Sequence, residues 1–191
     1  TLAEGVGQPV TTGELAPGNL RWSPDGARIA FIGREEAKPA TIPGMPEKPK
    51  GAEAAADAKI ITDLFWRFDG AGESKPGANH LYAVEVATAA VTRLSRGDTN
   101  QIDRTGIAWM PDGRHVVGSH TVDPINGPLE SDLYLYDVAG KAAKQRLTSR
   151  AGSEYAPEVS PDGRRIAFVG SEASTTFYDM PRLWTTAPTP A

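Results

Sequence analysis

The chain of 191 residues contains no cysteine, which excludes a disulfide scaffold and a thiol nucleophile. No apolar run approaches the ~20 residues of a membrane-spanning helix, so no membrane partner is expected. Basic charge is not in excess: Lys and Arg number 20 against 24 Asp and Glu, giving a formal net charge of −4. Without a basic stripe, nucleic acid is not an expected partner. Aromatic residues are scarce, at 7%. Thr1 to Gly13 lacks the basic start and apolar centre of a signal peptide, and Thr1 is not an initiator, so the native start is expected to have been removed or to lie upstream.

What the chain has instead is turn residues, 20 Gly and 16 Pro. Three copies of one tripeptide stand out: Pro24-Asp25-Gly26, Pro111-Asp112-Gly113 and Pro161-Asp162-Gly163. Each lies between short apolar runs and reads as a hairpin. Proline presets φ at the first central turn position, aspartate bonds nearby amides, and glycine accepts positive φ. Landmarks away from the turns keep the same distance from them. Gly113 to Leu133 and Gly163 to Leu183 both span 20 positions, while Val10 to Asp25 and Leu147 to Asp162 both span 15. The second and third turns are 50 residues apart, a propeller-blade period, and the first and second are 87 apart, so one repeat carries an insertion.

The fold expected is therefore all-β, a partial β-propeller of about three four-stranded antiparallel blades with a Pro/Ala-rich insertion in the first complete blade. Residues 1–19 read as the last strand of a preceding blade, because Gln8 to Gly13 lines up with Gln145 to Ser149. Residues 20–95 form a blade whose insertion covers 34–59. Its strand Arg28 to Gly33 has apolar residues at consecutive positions, as expected for burial on both faces. Residues 96–150 make the next blade. Both blades end on similar words, Thr92-Arg93-Leu94-Ser95 and Gln145-Arg146-Leu147-Thr148. Residues 151–191 make an incomplete blade of three strands, the third at Arg182 to Thr186. Propellers close with about 4 to 8 blades, so these repeats are expected to belong to a larger ring.

Few residues suggest chemistry. A nucleophile elbow needs G-x-S-x-G; Gly72-Glu73-Ser74-Lys75-Pro76 lacks the second glycine and reads as loop. Ser23 and Ser160 precede proline in the turns, where capping accounts for them. His115 and His120 are five apart along a strand and point to opposite faces, and with His80 they make no metal-ligand spacing. No Gly-rich loop opens a helix to cradle phosphate. No catalytic residue, metal or cofactor is therefore assigned, and substrate-binding residues stay unknown. The insertion 34–59 has five basic and five acidic residues and reads as a solvated excursion, with a helical turn or two near Ala54. The sharper alternative makes it an arm whose Glu35-Glu36 pair holds a substrate ammonium.

The phrases Trp22-Ser23-Pro24-Asp25-Gly26-Ala27-Arg28-Ile29-Ala30-Phe31 and Val159-Ser160-Pro161-Asp162-Gly163-Arg164-Arg165-Ile166-Ala167-Phe168 resemble the repeats of TolB-like propellers. Phe65-Trp66-Arg67-Phe68-Asp69-Gly70-Ala71-Gly72, His80-Leu81-Tyr82 and Leu94-Ser95-Arg96-Gly97-Asp98 are narrower. They resemble the N-terminal propeller of prolyl oligopeptidase family serine peptidases, in the bacterial acylaminoacyl peptidase and dipeptidyl peptidase branch. The resemblance implies a propeller that gates peptide substrates for an α/β-hydrolase domain carrying a Ser/Asp/His triad, none of which maps onto this chain. The implied partners are peptide substrates, the remaining blades and that hydrolase domain; a homo-oligomer stays open, as do bacterial cytoplasm and periplasm. A TolB-like propeller without catalysis, binding a protein at its channel mouth, is the alternative.

Overall fold

The computed structural model of the chain describes residues 7, 9–11, 13, 15–38, 40–46, 49–51, 60–61, 66–70, 72–97, 99–100, 102, 106–123, 127–173 and 180–190. Its strands are β1 (Gly18–Trp22), β2 (Arg28–Glu36), β3 (Arg67–Phe68), β4 (Gly72–Glu73), β5 (Gly77–Glu85), β6 (Val91–Arg93), β7 (Ile107–Trp109), β8 (His115–Asp123), β9 (Gly127–Asp137), β10 (Gln145–Arg146), β11 (Gly152–Val159), β12 (Ile166–Glu172) and β13 (Arg182–Thr186). They form sheets in the orders β1-β2-β5-β6, β7-β8-β9-β10 and β11-β12-β13, with β3-β4 as a separate small hairpin. Every pairing among the described strands is antiparallel. This is a partial β-propeller.

Each Pro-Asp-Gly turn joins the first two strands of its sheet. In the first and third, a serine ahead of proline organises the loop. Ser23 Oγ accepts from the Arg28 amide at 2.9 Å and Ser160 Oγ from Arg165 at 3.0 Å, while Asp25 and Asp162 accept from the amides two residues on at 3.0 Å. The second turn has Met110 there, and Met110 packs into the core while His115 Nδ1 lies 2.7 Å from Asp112 Oδ2. Both hydroxyls donate to their aspartates, so Ser23 and Ser160 are turn caps.

The seams between sheets explain the consecutive apolar runs. Strand alternation sends Ala30 and Ile32 to one face of the first sheet, where they join Leu81, Ala83, Ile107, Trp109, Val116 and Tyr136 in a seam with the second sheet. Phe31 faces the other way and stacks on Tyr82 at 5.3 Å, with Val84, Ile29, Val10 and Leu15 around them. Val117, Leu133 and Leu147 meet Ile166 and Phe168 in a second seam, toward the third sheet. Trp109 Nε1 crosses the first seam to donate to the Arg21 carbonyl at 2.9 Å. Ser119 and Ser131 hydroxyls cross the second, donating to the Glu154 carbonyl at 2.6 and 3.0 Å.

Three details differ from the sequence reading. The strand expected over Gln8 to Gly13 is not formed at its described residues 9–11 and 13, where Val10 packs on the first sheet instead. The excursion expected from residue 34 starts after Glu36, because β2 pairs with β5 as far as Glu36↔Gly77. The helical turn expected near Ala54 lies outside the described residues.

Candidate functional site

The Pro-Asp-Gly turns occupy one end of the sheets. At the opposite end β2, β8 and β12 finish and β5, β9 and β13 begin. Polar side chains gather there, built around the Arg-Leu-Ser/Thr words that close β6 and β10.

In the first sheet, Ser95 Oγ accepts from the Leu81 amide at 3.0 Å and lies 3.0 Å from His80 Nδ1. Arg93 bends back so that Nε donates to the Ser95 carbonyl at 3.0 Å and Nη2 to Gly97 O at 3.0 Å. Its Nη2 also packs 2.9 Å from His80 Nε2, and Nη1 reaches Glu35 Oε2 at 3.1 Å. Tyr82 OH donates to the other oxygen of Glu35. Burial, then the bond to Glu35, push the Tyr82 phenol far above its ordinary value, so it stays a donor at any working pH.

The second sheet repeats the device with one substitution. Thr148 Oγ1 accepts from the Leu133 amide at 2.9 Å, and Arg146 Nε donates to the Thr148 carbonyl at 2.9 Å. Where the first sheet has His80, the second has fully buried Asp132, ion-paired with Arg146. Burial raises the Asp132 carboxyl, and Arg146 offsets only part of that rise. Fully buried Glu154 sits beside it across the seam, with Arg150 Nη1 at 3.4 Å. Its carboxyl is also raised, by burial first and then by the charge of Asp132, while Thr148 and Arg150 pull it down. The Arg150 guanidinium lies 3.6 Å over the Trp184 ring, tying the third sheet into the cluster.

Ser95, His80 and Glu35, with His80 Nε2 4.0 Å from Glu35 Oε2, have the residue types of a nucleophile, base and orienting acid. The geometry rejects that chemistry. Ser95 and His80 are buried, the Ser95 oxygen is taken up by a backbone amide, and Arg93 wedges between His80 and Glu35. What the arrangement does is lock a two- or three-residue outer strand onto its sheet and hold one part-exposed carboxylate in place.

Among the sequence candidates, Glu35 is in this network and Glu36 is not. Adjacent residues of a strand point to opposite faces, so the two carboxylates do not converge on one ammonium. Ser74 follows the exposed β3-β4 hairpin and its amide donates to Trp66 O at 2.7 Å. His115 pairs with Asp112, whereas buried His120 sits edge-on to Tyr134 at 5.3 Å. The roles of Ser95, Arg93, Thr148, Arg146, Asp132 and Glu154 were missed; the repeated Arg-Leu-Ser/Thr phrase was the signal for four of them.

No family model matches the sequence. A TolB homolog protein of Chlorobium chlorochromatii (strain CaD3) is 39% identical over 82 residues, 43% of this chain and 18% of that protein. A solved acylaminoacyl peptidase in complex with Z-Gly-Gly-Phe-chloromethyl ketone superposes with a TM-score of 0.61 at 16% identity, covering 91% of this chain and 24% of that one. The uncomplexed acylaminoacyl peptidase of Pyrococcus horikoshii gives 0.57 at 17% identity, over 93% of this chain and 25% of that one. A putative TolB from Agrobacterium tumefaciens gives 0.50 at 20% identity, covering 93% and 64%. The chain thus spans about a quarter or less of the peptidases and of the TolB homolog. With its repeated turns and sheets packed face against face, the chain has the fold of a partial β-propeller.

Proposed function

We propose that these residues are part of the propeller of a longer serine peptidase of the prolyl oligopeptidase family. In this reading the propeller screens peptide substrates and orients them for an α/β-hydrolase domain. The observation that carries it is the superposition on acylaminoacyl peptidase over more than nine tenths of the chain. The phrase around Phe65 to Gly72 supports it from the sequence side. The polar end of the sheets suits such screening. Glu35 is held by Tyr82 and Arg93 while remaining part-exposed, so it offers a fixed carboxylate to a peptide's donors. Hydrolysis itself belongs to the other domain.

The test is activity on acylated aminoacyl p-nitroanilides. The longer protein turns them over and the 191 residues alone do not. A longer protein without turnover, whose sequence downstream lacks G-x-S-x-G, sinks the proposal. A second reading, a TolB-like module that binds a protein partner without catalysis, is favoured by the 39% identity to the TolB homolog, and that same result supports it.

A further inference from the structure

The second seam turns on Glu154 of β11. Its carbonyl accepts from the Ser119 and Ser131 hydroxyls, and its amide donates to Ser131 Oγ at 3.0 Å, so the hydrogen bonds joining the second sheet to the third converge on its backbone. Its side chain meets Asp132 of β9. Both carboxyl groups are fully buried, and the Thr148 hydroxyl is a hydrogen-bond partner of both.

Donors are too few for two anions there. Arg146 Nη2 takes Asp132 Oδ2, Arg150 Nη1 stands 3.4 Å from Glu154 Oε1, and Thr148 has one proton for two acids. The remaining oxygens, Asp132 Oδ1 and Glu154 Oε2, are buried with no protein hydrogen-bond partner. A buried anionic oxygen in that position is costly. The first sheet has no such deficit, since Glu35 gives one oxygen to Tyr82 and the other to Arg93 and stays part-exposed.

The ionisable groups packed around the pair do not remedy it. Glu130 adds like charge to Asp132. His120, opposite Asp132 in the register of β8 and β9, sits edge-on to Tyr134, whose ring also carries Lys144 at 4.8 Å. Arg182 of β13 is turned to Glu172. A metal cation suits the pair poorly: a guanidinium already stands beside each acid, and among the described residues no third His, Asp or Glu completes a ligand set. A proton needs only the two unpartnered oxygens.

We propose that Glu154 holds a proton at neutral pH and donates it from Oε2 to Asp132 Oδ1, making the second seam a clasp that loosens as pH rises. Arg146 is tight against Asp132 and keeps it ionised, whereas Arg150 is at long hydrogen-bond distance from Glu154 and lies over Trp184, so the proton rests on Glu154. Its loss to solvent leaves two buried anions in the seam. Burial, and after it the charge of Asp132, raise the Glu154 carboxyl in the sense this requires; the stability so gained is present below the raised value and lost above it. The clasp rests on the fold and is independent of the peptidase reading.

Side-chain carboxyl carbon-13 resonances of the labelled chain, assigned through the backbone and followed from about pH 4 to about pH 9, test it. Glu154 titrates at ~6 or above, and the Asp132 resonance moves in the same step because the two acids share one equilibrium. Asp132→Asn lowers the Glu154 midpoint by about one unit or more. The Glu154 amide reports on the seam: its protection, corrected for intrinsic exchange, falls through that step in the parent. In the Asp132→Asn/Glu154→Gln double variant, whose amides hydrogen-bond without a titrating proton, protection stays level. The two parent measurements decide the matter even if a variant fails to fold. A Glu154 midpoint near the ordinary value of about 4.3 overturns the proposal. So does a midpoint that Asp132→Asn leaves in place, or an amide whose protection ignores the step.

Discussion

A single serine hydroxyl separates the first and third turns from the second, and the loop keeps its shape by different means in each. Glycine at the fourth turn position is required in all three. At Gly26, φ is 68° and a Cβ would meet nothing within 4 Å, so the cost of Gly26→Ala is the backbone conformation alone, about 1 kcal/mol. At Gly152, φ is 122° and a Cβ would sit 2.1 Å from the Ser171 carbonyl oxygen, so Gly152→Ala costs several times as much. Urea midpoints of the two variants should separate clearly. The buried acids set a second residue-scale expectation. Burial holds the Glu154 carboxyl above its ordinary value, so the folded chain binds that proton more tightly than the unfolded one. Its contribution to stability is most favourable at acid pH and is lost as pH rises through the raised value. Glu154→Gln should match or exceed the parent's urea midpoint at pH 8, and lose that advantage near pH 5.

At the scale of the element, the outer strands β6 and β10 are too short for their ladders to hold them, and the Arg-Leu-Ser/Thr latch supplies the rest. Arg146→Ala leaves fully buried Asp132 without its cation and should cost about 3–5 kcal/mol, whereas Arg146→Ala combined with Asp132→Asn should recover much of the loss. Denaturation of the single and double variants checks it. The hairpins were readable in the sequence because turn chemistry and apolar runs are local, and the sheets because the spacing repeats. The latch was visible only as repeated words. The acids it holds are 58 residues from Arg93 and 14 from Arg146, and nothing local ties Arg93 to Glu35 or Arg146 to Asp132. Glu35 was misplaced into the excursion for a related reason: charged residues ahead of a proline-rich stretch look like loop, while the pairing of β2 with β5 carries the strand past them.

For the whole molecule, sequence spacing was enough to order the sheets, since each seam joins one repeat to the next. It could not show that Trp109 is buried and Trp22 exposed, because the two occupy equivalent phrases and differ only in what packs on them. At the end of the sheets away from the turns, Glu35 is held within the first sheet, while Asp132 and Glu154 face each other between the second and third. On the peptidase reading proposed above, Glu35→Gln in the longer protein should raise KM for peptides with a free amino terminus more than it lowers kcat, read by steady-state kinetics; equal KM for parent and variant would remove Glu35 from substrate contact.

The Leu81 and Leu133 amides both bond to side-chain hydroxyls rather than to a neighbouring strand. Deuterium uptake at these two sites therefore reports on the clasp directly, since each amide is shielded by a side chain of the chain segment that closes its sheet. Swapping Ser95 or Thr148 for alanine would make the matching leucine the first interior position to label, while the amides of β2 and β8 stay dark.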